Sequence, residues 1–162
     1  METPLINIQD VVDYADLSVN IAERKYNQYI LMAQNRFLSE IIGGDCLDGL
    51  VDRKCTNSLT TDDDNLLEVI KPYLVAYSYA LYIGSSMKLS LNSGVATLSG
   101  DDATVIGQQS RVSESKKYIL SALNYGKKLK TFLSDNNDLY PCYVIDVCVE
   151  DTSNSYSQFF GI

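Results

Sequence analysis

The sequence predicts a mainly α protein: a small bundle of about four helices, with one inserted β-hairpin and an extended C-terminal tail. Three observations carry this reading. Apolar residues recur at helical spacing over three long stretches. One short stretch, 88–98, alternates around Asn92-Ser93-Gly94 and is followed by Gly100-Asp101-Asp102, the marks of a hairpin with a glycine-containing turn. After Pro141 the chain turns polar and then ends on Phe159-Phe160-Gly161-Ile162.

Residues 1–17 show no clear period, and Pro4 discourages an early helix. Ser18 and Asn20 are both suitable caps for the first predicted helix, near 22–42, and Glu23 stands three residues after Asn20. Tyr26, Ile30, Ala33, Phe37 and Ile41 form its stripe, and Gly43-Gly44 stops it. A short helix near 45–52 carries Leu47, Leu50 and Val51, and 52–61 reads as a polar loop. The next helix, 63–86, opens on Asp62-Asp63-Asp64 and carries Leu66, Ile70, Tyr73, Tyr77 and Leu81. Pro72 lies inside it and lacks an N–H, so a kink or a one-residue break is expected there.

After the hairpin and a polar loop, the last helix spans 111–134. Tyr118, Ile119, Ala122, Leu123, Leu129, Phe132 and Leu133 line its apolar side, and Lys116, Lys117, Lys127, Lys128 and Lys130 take the other. Asn136-Asn137-Asp138 and Pro141 end it, and 143–149 alternates weakly, as a strand could. There is no internal repeat. The expected division is a helical domain over 1–142 and a tail over 143–162.

A chain of 162 residues is long enough to bury its own core without a disulfide or a metal. The net charge of −8 argues against a general nucleic-acid binder, which presents a basic face, and against docking on anionic lipid. No apolar run approaches the length of a membrane span, and the N-terminus lacks the basic start and apolar run of a signal peptide. The four cysteines, 46, 55, 142 and 148, are irregularly spaced. With no export signal, they read as reduced, buried thiols.

The residues offer little chemistry. The chain has no histidine, which removes the commonest general base and metal ligand. Cys142 and Cys148 do not have zinc-site spacing. The Asp62–Asp64 run lacks the glycine and terminal glutamate of a calcium loop and reads instead as acids favouring a helix N-terminus. Ser85-x-x-Lys88 and Ser113-x-x-Lys116 match an acyl-enzyme spacing without its companion motifs. No enzyme, metal or cofactor is expected.

The aromatic balance is unusual: twelve tyrosines, four phenylalanines and no tryptophan. Tyrosine and phenylalanine are enriched at protein interfaces. Tyr29, Tyr73 and Tyr118 read as core. Tyr140, Tyr143, Tyr156, Phe159, Phe160 and Ile162 cluster after the last helix. This segment either folds back on its own domain or docks on a neighbour.

The order of these features resembles the head–tail connector (adaptor) proteins of tailed bacteriophages, and most those of crAss-like phages. The resemblance rests on Leu17-Ser18-Val19-Asn20-Ile21, Tyr29-Ile30 with Ala33-Gln34, the glycine stop and short helix at 43–50, and Tyr73-Leu74-Val75-Ala76-Tyr77. It continues with the turn at Asn92, Gly94 and Val95, and with Phe132-Leu133, Asn136, Tyr140-Pro141 and Tyr143. It spans roughly 11–143, and the loop at 52–61 and the tail fit it least.

The resemblance implies a virion structural protein at the head–tail junction, made in the bacterial host cytoplasm. Such proteins form a homo-oligomeric ring, typically a dodecamer, beneath the portal protein. The ring continues the DNA channel and docks a tail or second ring protein. Genomic DNA passes without sequence-specific binding, which suits an acidic chain because each Lys or Arg contact to phosphate adds affinity. Asn92, Gly94, Val95, Tyr140, Tyr143, Tyr156, Phe159, Phe160 and Ile162 are then the expected subunit or partner contacts. A lone hairpin is marginal in water, and a neighbour in the ring would give it something to lie on. The competing expectation is a cytosolic helical adaptor or regulatory binding module, monomeric or dimeric.

Overall fold

A computed structural model describes residues 3–15, 23–85 and 108–143 of the chain. The described elements are α1 (Ile8–Ala15), α2 (Glu23–Met32), a π-helical stretch (Ala33–Leu38), α3 (Ser39–Ile42), α4 (Gly44–Cys55), α5 (Thr61–Ser85) and α6 (Gln108–Asp135). The protein is mainly helical, as expected, and no strand occurs among the described residues. The hairpin at 88–98 and the tail beyond Tyr143 lie outside the described residues.

One helix was not expected. Asn7 and Asp10 make a reciprocal cap: the Asn7 N–H donates to Asp10 Oδ2 at 2.9 Å, and the Asp10 N–H to Asn7 Oδ1 at 2.9 Å. This box satisfies two end groups and starts α1 at Ile8, four residues beyond Pro4. Leu5, Ile6 and Val11 are thereby set into the core.

The predicted 22–42 helix is α2, the π-helical stretch and α3 joined end to end, with right-handed helical backbone at both junctions. Inside the π-helical stretch Gln34 is buried. Its Oε1 accepts the Leu5 N–H at 2.8 Å, and its Nε2 donates to the Thr3 carbonyl at 3.3 Å. A buried amide is costly unless bonded, and these two bonds fasten the N-terminal segment. Gly43 then reverses the chain at φ 84°, a backbone region that side chains other than glycine's disfavour.

α5 is the centre of the molecule. Tyr73, Leu74, Val75 and Ala76 are buried in succession, because α1, α2 and α6 all pack on it. The helix runs through Pro72 without a break. α6 crosses α5 closely, where Ser115, Ala122 and Gly126 face it. The Ser115 hydroxyl donates to the Ala80 carbonyl at 3.0 Å. A Cβ at Gly126 would stand 3.1 Å from Ile41 Cδ1 and 3.2 Å from Tyr73 Cε2, so the residue is small to allow that approach.

The cysteine expectation is corrected. Cys46 in α4 and Cys142 beyond α6 form a disulfide across a sequence separation of 96. Cys55 is a free thiol and is exposed, not buried. A missing export signal speaks to compartment and not to proximity, whereas the fold brings two distant cysteines to a Cα separation of 5.4 Å, within bonding geometry.

Candidate functional site

The chemistry-bearing motifs separate in the structure. Asp62 and Asp64 are exposed, while Asp63 turns inward. Asp63 takes Arg53 Nε at 2.9 Å on Oδ2 and Arg53 Nη2 at 2.7 Å on Oδ1. It also accepts the Thr60 N–H at 2.9 Å and donates its own N–H to Thr60 Oγ1 at 3.2 Å, a capping box that starts α5. The Arg53 guanidinium and these bonds hold the Asp63 carboxyl down at about 2. The residue is a structural clamp. Ser113 and Lys116 are both exposed on α6, and the Ser85 hydroxyl donates to the Tyr29 hydroxyl at 2.6 Å. Among the described residues, no cluster of three or more Asp, Glu, Cys or His could hold a metal ion.

A cavity of about 320 Å³ lies between the π-helical stretch and α4, lined by Gln34, Asn35, Ser39, Leu47, Asp48 and Val51 among others. Gln34 is engaged with the N-terminal segment, and the Ser39 hydroxyl donates to the Asn35 carbonyl at 2.6 Å. Asp48 is the single carboxylate among its lining residues.

Tyrosine is used heavily for packing. Tyr26 is fully buried, Tyr73 is buried, and Tyr29 and Tyr118 are half-buried. Tyr26, Tyr29 and Tyr82 pack edge-on or tilted at 5.3 to 6.1 Å between centroids. Desolvation pushes the Tyr79 hydroxyl up to about 12. The Tyr14 and Tyr125 hydroxyls are hydrogen-bonded to each other. Burial and that contact push Tyr14 up to about 12 as well.

Of the expected contact residues, Tyr140 and Tyr143 are described. Asn92, Gly94, Val95, Tyr156, Phe159, Phe160 and Ile162 lie outside the described residues. Tyr140 is 6% exposed. Its ring packs on Phe132 at 5.7 Å, and its hydroxyl donates to the Asp62 carbonyl at 2.9 Å. Asn136 Nδ2 donates to the Phe132 carbonyl at 2.8 Å, closing the end of α6. Tyr143 packs half-buried against the core. Phe132, Asn136, Tyr140 and Tyr143 therefore form one chain reversal, which the Cys46–Cys142 bond ties to α4. Tyr140 is an anchor in its own chain. The sequence signal for this reversal is the Pro141 stop beside Tyr140.

A family model described as a family of unknown function (DUF6712) matches residues 17–152. The chain belongs to this family. The DUF6712 match takes in α2 through α6 and the Tyr140 reversal, and leaves α1 outside. No curated protein and no solved structure matches the chain significantly.

Proposed function

We propose that this chain is a ring-forming structural protein of a phage virion, placed at the head–tail junction beneath the portal, where it continues the DNA channel and docks the tail. The observation that carries the reading is the ordered motif series within roughly 11–143. Its last members, Phe132, Asn136, Tyr140 and Tyr143, work together in one reversal at the end of α6. A motif whose residues serve a common structural task is a better family mark than scattered identities.

The Cys46–Cys142 bond supports this reading over a cytosolic adaptor. Disulfides persist outside reducing cytosol, and a virion leaves the cell that made it. In this reading the hairpin at 88–98, with Asn92, Gly94 and Val95, packs on a neighbouring subunit or the portal. Tyr156, Phe159, Phe160 and Ile162 of the extended tail do the same.

The test is to mix the purified chain with the portal of the same phage and image the product by electron microscopy, with native mass measurement of the chain alone and in the mixture. A closed ring on the portal is expected. A chain that stays monomeric or dimeric and leaves the portal bare overturns the reading.

A further inference from the structure

Two faces of this chain carry rows of like charge that nothing in the described chain neutralises. On α4, Asp45, Asp48 and Asp52 stand at i, i+3 and i+7, which places them on one helix face. All three are exposed. Two more exposed acids, Asp62 and Asp64, begin α5. On α6, Lys116, Leu120, Leu123, Lys127 and Lys130 stand at i, i+4, i+7, i+11 and i+14, again one face. That face lies about a third of a turn round the helix from the Ser115, Ala122, Leu129 and Leu133 side, which is buried against the core. Its three lysines are exposed, and Leu120 between them is 59% exposed.

The ion pairs of the described chain join Arg53 to Asp63 and Lys71 to Asp10 and Glu68. None involves either row. Aligned like charges at helical spacing destabilise their own helix. An exposed leucine flanked by lysines has the make-up of a contact surface: an apolar centre with a charged rim.

We propose that the lysine-flanked face of α6 docks on the aspartate face of α4 in a second copy of this chain, so that each subunit joins the next head to tail. The inference rests on the ring reading above and deepens it by naming the contact. Charge decides the geometry. A two-fold dimer through either face would set like charge against like, at a cost. Mating two different patches is heterologous, and a heterologous contact closes into a ring when its rotation closes.

The experiment measures assembly of the full chain, alone and with the portal, by analytical ultracentrifugation at low and high salt. Three proteins are compared with the natural chain. One carries Lys116→Glu, Lys127→Glu and Lys130→Glu; one carries Asp45→Lys, Asp48→Lys and Asp52→Lys; the third carries Leu120→Asp. Circular dichroism selects folded material. Each variant alone should need at least tenfold more protein to assemble. An equimolar mixture of the two charge-reversed proteins should assemble again, because each then meets its opposite.

Variants that assemble as the natural chain does overturn this contact and leave the ring reading standing. So does a lysine variant whose only loss is retention of duplex DNA, since the face would then serve phosphate. A natural chain that assembles neither alone nor on the portal overturns both.

Discussion

The Arg53 guanidinium grips the Asp63 carboxylate through two nitrogens, at 2.9 and 2.7 Å, and so ties the last turn of α4 to the first turn of α5. The pair bridges a five-residue connection, 56–60, with the acid buried and the base half-open to solvent. Asp63 also completes the cap with Thr60. One carboxylate therefore serves both as helix cap and as interhelical clamp.

Acid should loosen this clamp over a defined range. The Asp63 carboxyl is held from the ordinary 3.8 down to about 2. A depressed acid contributes stability that is present above its unfolded value and lost as pH falls through its folded value. Thermal midpoints should therefore fall between about pH 4 and pH 2 in excess of what an Asp63→Asn protein shows. At neutral pH, Asp63→Ala should cost about 1–3 kcal/mol through the lost cap and the unpaired donors. Parallel pH profiles for the natural and Asp63→Asn chains would remove the clamp from the account.

The disulfide gives a second prediction. It closes a span of 96 residues, and disulfides typically stabilise by about 2–4 kcal/mol, mainly by restricting the unfolded chain. At this chain length the thermal midpoint should fall by about 2–4 °C for each kcal/mol on reduction or in Cys46→Ser. Peptide mapping without reduction should recover Cys46 joined to Cys142. Equal midpoints with and without reductant, and no such peptide, would contradict the bond.

Helix crossing at Gly126 sets the third. The Cβ of alanine meets Ile41 and Tyr73 at 3.1 and 3.2 Å. Its better helix propensity, about 1 kcal/mol over glycine, offsets that crowding, so Gly126→Ala should be close to neutral. Gly126→Val adds two methyls to the same gap and should destabilise by about 1–3 kcal/mol. Urea midpoints of the two variants check this. A valine protein as stable as the natural chain would mean that α6 sits farther from α5.

The sequence and the structure agree where periodicity is long. α6 was legible because its buried residues recur over many turns and Asn136 and Pro141 mark the stop. α5 was legible despite Pro72, because the apolar stripe kept its phase. α1 escaped because eight residues are too few for a period to emerge, and its start is set by the Asn7–Asp10 cap. The π-helical stretch escaped because it inserts no residue type of its own; it shows itself only through the burial of Gln34. Disulfide pairing was out of reach because a single bond among four cysteines has six possible pairings and spacing does not choose among them. The sequence leaves folding back and docking both open for Tyr140 and Tyr143, because a chain reversal after a helix and a departing tail begin with the same stop signals.

The last prediction concerns the segment beyond that reversal. Tyr140 and Tyr143 are anchored in the fold, so removing residues 152–162 leaves the anchor intact. The stretch DTSNSYSQ is polar and a poor core former. Phe159, Phe160 and Ile162 would each gain about 1.5–3 kcal/mol if fully buried, less the entropy of ordering the residues before them. In the proposed ring such a gain, repeated at every subunit, would act on assembly more than on a single subunit. Deleting 152–162 should therefore leave the melting point of dilute monomer nearly unchanged and weaken ring formation or portal binding. Calorimetry of the monomer and ultracentrifugation of the mixture separate the two effects. If the deletion collapses the monomer's melting point while the folded fraction still assembles, the tail packs on its own subunit and its aromatic end has no place at the ring contact.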